Sequence, residues 1–144
     1  VAELVRKAEL DYLTVQRLDL PILAEIICFH CQQCAEKYLK ALISYHGQVP
    51  ERTHDLVVLH AHAAGHLPSA DHLLPQLAFL NPFAVDVRYV EGSANAEMAS
   101  QATEAMECVR EAVRSALGLA GHQEETEGED GAPEGDQPDD TTGD

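Results

Sequence analysis

Apolar residues recur at helical intervals through most of the first 118 positions, and their longest coherent run lies between Ile27 and Tyr45. At about 100° per residue, Ile27, Cys28, Cys31, Cys34, Ala35, Tyr38, Leu39, Ala41, Leu42, Ile43 and Tyr45 share one arc of roughly 200°. His30, Gln33, Lys37 and Lys40 gather on the other side. A surface helix ordinarily shows an apolar stripe nearer ~100° wide. This segment should therefore be the central helix, touching more than one neighbour within a bundle or across a subunit interface.

The flanking segments read as helices that pack around it. Leu4, Val5, Ala8, Tyr12, Val15 and Leu18 give an amphipathic helix over Ala2 to Leu20. Asp19 and Pro21 suit a helix start near Ile22, and Gly47 suits a stop after His46. Pro50 forbids continuation; Thr53 is placed to cap a third helix, His54 to Ala64, ended by Gly65. Ser69 is placed to cap a fourth to about Leu80, which Pro75 should kink or subdivide. Phe83, Val85, Val87 and Tyr89 alternate as in an extended segment, expected as an ordered loop. Asn95 opens a last helix whose stripe is Met98, Ala99, Ala102, Ala105, Met106, Val109, Val113, Ala116 and Leu117. The fold class expected is all-α, a four- to five-helix antiparallel up-and-down bundle.

After residue 118 the composition changes. Of 25 acidic residues, ten fall within 124–144, which holds no Lys or Arg. That stretch cannot bury enough apolar surface to offset its ordering entropy. The expected organisation is a helical domain over 1–118 and a disordered acidic tail over 119–144. The net charge of −16 is thereby largely the tail's. Residues 1–119 carry fifteen acids against nine bases, a mild excess that leaves room for a local basic groove and excludes general coating of nucleic acid. No apolar run reaches the ~18 residues of a membrane span, and no charged stretch followed by an apolar one opens the chain at Val1. A cytoplasmic, membrane-free protein is expected.

Candidate chemistry is sparse. Cys28, Cys31 and Cys34 all project onto the apolar arc, where free cysteine serves as a small hydrophobe; Cys108 is the fourth. His54, His60, His62, His66 and His72 form a His-rich stretch, but only His62 and His66 are spaced i,i+4 and Gly65 separates them. No metal or cofactor is expected. The stripe of His30, Gln33, Lys37 and Lys40, with Glu36 able to pair with Lys40, is either a solvated face or a phosphate-receiving one. Arg52 and His54 lie at the start of the third helix, whose amide groups would favour an anion.

The run His30-x-x-Gln33-x-x-Glu36-Lys37-x-x-Lys40-Ala41, then Gly47, Pro50 and Thr53-His54-Asp55-Leu56, and later Phe83 to Arg88-Tyr89, resembles the HEPN domain (higher eukaryotes and prokaryotes nucleotide-binding) across residues 1–118. The resemblance implies the same helical bundle, homodimers, and convergence of Arg88 with Arg52 and His54. It makes His30, Gln33, Lys37, Lys40, Arg52, His54 and Arg88 the candidate nucleotide- or RNA-binding residues. Many members are ribonucleases with Arg, four to six residues, then His in the closing helices. Here the windows after Arg110 and Arg114 are 115–117 and 119–121, and neither contains His; His122 falls one place beyond. The expectation is a non-catalytic binding module, similar to HEPN partners of minimal nucleotidyltransferases in toxin–antitoxin-like or regulatory systems. Alternatives are a ribonuclease toxin lacking that motif and a nucleotide-binding domain.

Overall fold

The computed structural model describes residues 1–19, 22–68, 70–84 and 94–119. Five helices carry the fold: α1 (Ala2–Arg17), α2 (Ala24–Tyr45), α3 (Leu56–Ala63), α4 (Ala70–Leu80) and α5 (Ala96–Ala116). Short 3₁₀ turns occupy Ala64–His66 and Asn81–Ala84. Among the described residues there is no strand, and no helix is long and apolar enough to cross a membrane.

The centre is α2, which packs against α1, α3 and α5. Its wide apolar arc is satisfied within one chain: Ile27, Cys31 and Tyr38 are buried, Cys31 facing Thr103 of α5 and Tyr38 lying between Glu9 of α1 and Arg114 of α5. Of the two expectations for the wide arc, neighbours within the bundle and not a subunit interface account for Ile27, Cys31 and Tyr38. Tyr45, at the last turn where the helix leaves the core, is 54% exposed.

Side-chain pairings fix the helix directions. Glu9 meets Tyr38 and Asp11 meets His30 and Lys37, so α1 runs against α2. Thr103 lies at Cys31 and Arg114 at Tyr38, so α5 runs with it. The residues after α2 turn back along it, bringing His54 to Glu36, and α3 then climbs until His66 stacks on His46. α4 runs back against α3, since Ala70 at its start meets His60 and Asn81 just past its end meets Leu56, so alternation fails only from α2 to α3, where the returning segment lets both helices run the same way. That segment carries His54 onto the flank of α2.

Local chemistry accounts for the boundaries. The amide of Gly47 (φ +79°) donates to Ser44 O at 2.9 Å and that of Gln48 to Ile43 O at 3.2 Å, a Schellman cap that needs a left-handed residue. Gly118 ends α5 in the same way, and the Asn95 side chain starts it by accepting from Met98 N at 2.8 Å.

Several expected boundaries move. Leu18 is extended, so α1 stops at Arg17. α2 starts at Ala24 with Leu23 as an N-cap that gives no side-chain bond; Asp19 contributes only its carbonyl, to Leu23 N. The cap of α3 is Asp55, not Thr53, because its carboxylate reaches Val57 N and Val58 N while Thr53 Oγ1 accepts from Asp55 N. Gly65 sits inside a 3₁₀ turn, Pro75 lies within a continuous α4, and Phe83 belongs to a 3₁₀ turn rather than an extended segment. Pro21, Ser69, Val85, Val87, Tyr89 and residues 120–144 lie outside the described residues.

Candidate functional site

The polar side of α2 is bounded by α1 on one flank and by the returning segment on the other, and each flank is organised by one buried carboxylate. On the α1 side Asp11 accepts from Lys37 Nζ and from His30 Nδ1, both at 2.7 Å. On the other side Glu36 accepts from Lys40 Nζ at 2.9 Å and from His54 Nδ1 at 3.1 Å to each oxygen. Gln32 Nε2 and Gln33 Nε2 approach Glu36 at 3.3 and 3.5 Å, and Gln32 also donates to the His54 carbonyl at 3.0 Å. Carboxylates with side chains 9% and 6% exposed need such partners, since an unpaired buried charge is strongly unfavourable.

A carboxylate only accepts, so His30 and His54 carry a proton on Nδ1 and turn Nε2 away from their partners. They differ in access: the His54 side chain is 72% exposed and that of His30 27%. His54 also lines an open cavity of about 480 Å³ with Thr53, Asp55, Ala78, Asn81, Pro82 and Ala84.

The structure therefore brings His30, Gln33, Lys37, Lys40 and His54 together along one face. Arg52 is exposed on the same returning segment, and Arg88 lies outside the described residues. The anion site expected at the start of α3 is not available. Val57 N and Val58 N donate to Asp55 Oδ1 at 2.9 and 3.3 Å, Leu56 N donates to Asn81 Oδ1 at 2.8 Å, and Asn81 Nδ2 donates to Asp55 at 3.0 Å. Those hydrogen bonds hold the Asp55 carboxyl below its usual range, the one from Asn81 foremost.

A second polar cluster lies within the bundle. Arg110 of α5 donates from Nε and Nη2 to the two oxygens of Glu9 at 2.7 and 2.9 Å, and its guanidinium sits 3.9 Å from the centroid of the Tyr12 ring. The Tyr38 hydroxyl donates to Glu9 and accepts from Arg114 Nη1 at 3.1 Å. Burial and the Glu9 carboxylate push the Tyr38 phenol upward, so it stays protonated. Burial also raises the Cys28 thiol to about 11 and that of Cys31 to about 12, leaving both without thiolate character at neutral pH. All four cysteines are free, and no three His, Cys, Asp or Glu side chains converge as metal ligands among the described residues.

A model of the HEPN domain matches residues 1–117. The chain belongs to the HEPN-domain family. It is similar in fold to the crystal structure of an archaeal HEPN homologue, with a TM-score of 0.64 at 24% identity over 79% of this chain and 94% of that one. No curated protein matches it.

Within the HEPN frame the α5 arginines acquire meaning. Arg110 and Arg114 are both buried and committed to Glu9 and Tyr38, away from the polar face of α2. Sequence reasoning used them only as starting points for a missing motif, and it passed over Glu9 and Asp11. A signal was present: Asp11 follows Ala8 by three and precedes Val15 by four, and Arg110 follows Met106 by four and precedes Val113 by three. A charge set into an apolar helical stripe marks a buried pair.

Proposed function

We propose that this HEPN domain is a binding module that does not cleave RNA, and that it recognises a protein, of the minimal nucleotidyltransferase class, through the polar face of α2 and the exposed segment carrying Arg52 and His54. The observation that carries this reading is the state of Arg110 and Arg114. They are the two closing-helix arginines, buried against Glu9 and Tyr38, and no His follows either at the spacing the family's ribonucleases use. A phosphodiester entering this bundle would have to break a bidentate buried pair to reach Arg110. The charge balance of the α2 face adds support for a protein partner, because Lys37 and Lys40 each already hold a carboxylate below 3 Å. The class of partner comes from the family resemblance.

Incubation of the purified chain with transfer and messenger RNA should leave both intact, and co-expression with a nucleotidyltransferase encoded beside it should give a stable complex. RNA cleavage by the unaltered chain would refute the reading, whether or not Arg110→Met abolishes it. So would failure of the two proteins to co-purify.

HEPN domains often dimerise, and a homodimer is proposed here on that ground, although the core of α2 is covered by its own chain. Leu10 and Leu13 remain exposed on α1 and would supply an apolar contact. Light scattering on residues 1–119 should give twice the monomer mass at micromolar concentration; a monomer would reject the proposal.

A further inference from the structure

We propose that His54 is a phosphoryl-acceptor site, modified on Nε2 by a donor carrying a labile phosphoryl group on nitrogen or on a carboxylate. Three conditions make a histidine a good phosphoryl acceptor: a lone pair on the attacking nitrogen, a base behind the opposite nitrogen to take up charge, and open access for the donor. His54 meets all three. Its Nδ1 proton is held by both oxygens of Glu36 at 3.1 Å, which leaves the lone pair on Nε2. Glu36 cannot swing away, being held by Lys40 and approached by the Gln32 and Gln33 amides. The ring itself is 72% exposed and borders the open cavity shared with Thr53 and Asn81.

None of the other described histidines combines these features. His30 has the same carboxylate support, from Asp11 at 2.7 Å, but only 27% of its side chain is exposed. His72 is exposed on α4 and has no hydrogen-bond partner among the described residues. His60 Nε2 is spent on the Ala70 carbonyl at 2.7 Å, His46 and His66 are stacked with centroids 3.6 Å apart, and His62 is half-buried. Asp55, the acidic neighbour, has its carboxylate turned onto the α3 amides and Asn81, which offsets its repulsion of an incoming phosphoryl group. Arg52 lies two residues upstream on the exposed segment.

In the step, the Nε2 lone pair attacks phosphorus as the bond from phosphorus to the donor nitrogen or carboxylate oxygen breaks. The leaving group departs with that electron pair, and the positive charge that develops on the ring is taken up by Glu36 through the Nδ1 proton. No oxidant or metal is required for the balance. The domain is then the substrate of phosphoryl transfer, and addition of a dianion beside Lys40 and Arg52 would alter the proposed protein-binding surface.

The test is exposure of the full chain to potassium phosphoramidate and, separately, to acetyl phosphate, with peptide mapping by mass spectrometry and NMR to assign the modified nitrogen. His54 should be modified on Nε2 on the order of tenfold faster than His72 or His30. Glu36→Gln, confirmed folded by circular dichroism, should bring His54 to the rate of His72. The comparison of His54 with His72 and His30 in the unaltered protein stands without any variant. Equal rates at the three histidines, phosphorylation on Nδ1 of His54, or full-rate modification of folded E36Q would each overturn the proposal.

Discussion

Replacement of Arg110 by Met tests what holds α5 against α1. The side chain is 6% exposed, its two bonds to Glu9 are 2.7 and 2.9 Å, and its guanidinium rests on Tyr12. Met keeps most of the apolar stem but leaves the Glu9 carboxylate with the Tyr38 hydroxyl as its remaining close donor. Breaking a buried pair from one side costs about 3–5 kcal/mol. Glu9 is 19% exposed, so water reaches part of it, and the lower end, about 3 kcal/mol, is the expected loss. Removing both charges in Glu9→Leu with Arg110→Met should return stability to within about 1–2 kcal/mol of the natural chain, since no charge is then stranded. Urea unfolding at neutral pH, followed by circular dichroism, measures all three through the midpoint at constant slope. An R110M loss under about 1 kcal/mol, or a double variant worse than R110M, would refute the reasoning. The pair also sets an acid dependence. Burial alone would raise the Glu9 carboxyl, but the hydrogen bonds from Arg110 and Tyr38 and the charges of Arg110 and Arg114 outweigh it and hold it below the ordinary value. Its contribution is therefore present above about pH 4.3, the unfolded value, and is lost as pH falls through the lower folded pKa. R110M should flatten stability across that acid window.

Asp55→Ala removes both α3 cap bonds and the Asn81 contact, and should cost about 1–2 kcal/mol by the same urea assay, with Asp55→Asn recovering most of it. Gly47→Ala should cost about 1 kcal/mol, because φ is +79° while a methyl group there meets nothing within 4 Å. A thiol reagent applied to the native protein should label Cys108 alone, with Cys28, Cys31 and Cys34 reacting only on unfolding; labelling of a second cysteine in the native state would contradict their burial. Lys37→Met should destabilise by about 1–3 kcal/mol, less than R110M, because Asp11 keeps its bond to His30.

The helices were legible wherever packing follows a period, as in α2 and α5, where most of the apolar stripe is buried, Tyr45, Met98 and Ala116 apart, and where Gln32, Glu36, Arg110 and Arg114 are buried as well. Gly47 announced the Schellman cap of α2, since a left-handed residue closes that geometry, while the same cap at Gly118 was not read in the sequence. What periodicity does not encode is which way the chain returns. The same-direction placement of α3 rests on His54 meeting Glu36, a pairing of side chains eighteen residues apart. The cap of α3 was misread by two residues because Thr53, His54 and Asp55 offer competing side-chain acceptors, and Asp55 prevails by reaching two amides and Asn81 together. For the site, the stripe His30, Gln33, Lys37, Lys40 and the Glu36–Lys40 pair were visible on α2, but the carboxylate that holds His30 and Lys37 comes from α1. Counting charges along one helix cannot reveal that the opposing charge arrives from another.

That pairing bears on the partner proposed for the α2 face. A phosphate approaching Lys37 or Lys40 meets a carboxylate already 2.7 or 2.9 Å from the same ammonium, so its attraction to the cation is partly offset by repulsion from Asp11 or Glu36. Taking the lysine for itself would leave a carboxylate side chain under 10% exposed with fewer partners, Asp11 with His30 and Glu36 with His54 and the Gln32 and Gln33 amides, which costs stability. Exposed ion pairs contribute little to stability, but these are half-buried and shared with His30 and His54, so they act as fixtures of the fold before they act as ligand contacts. What the face offers outward is directional: the Nε2 of His54 and the exposed Arg52. A balanced, hydrogen-bonding surface of that kind selects for complementary geometry more than for net charge. It is on this ground that a folded protein, rather than a polyanion, is the partner proposed for the face.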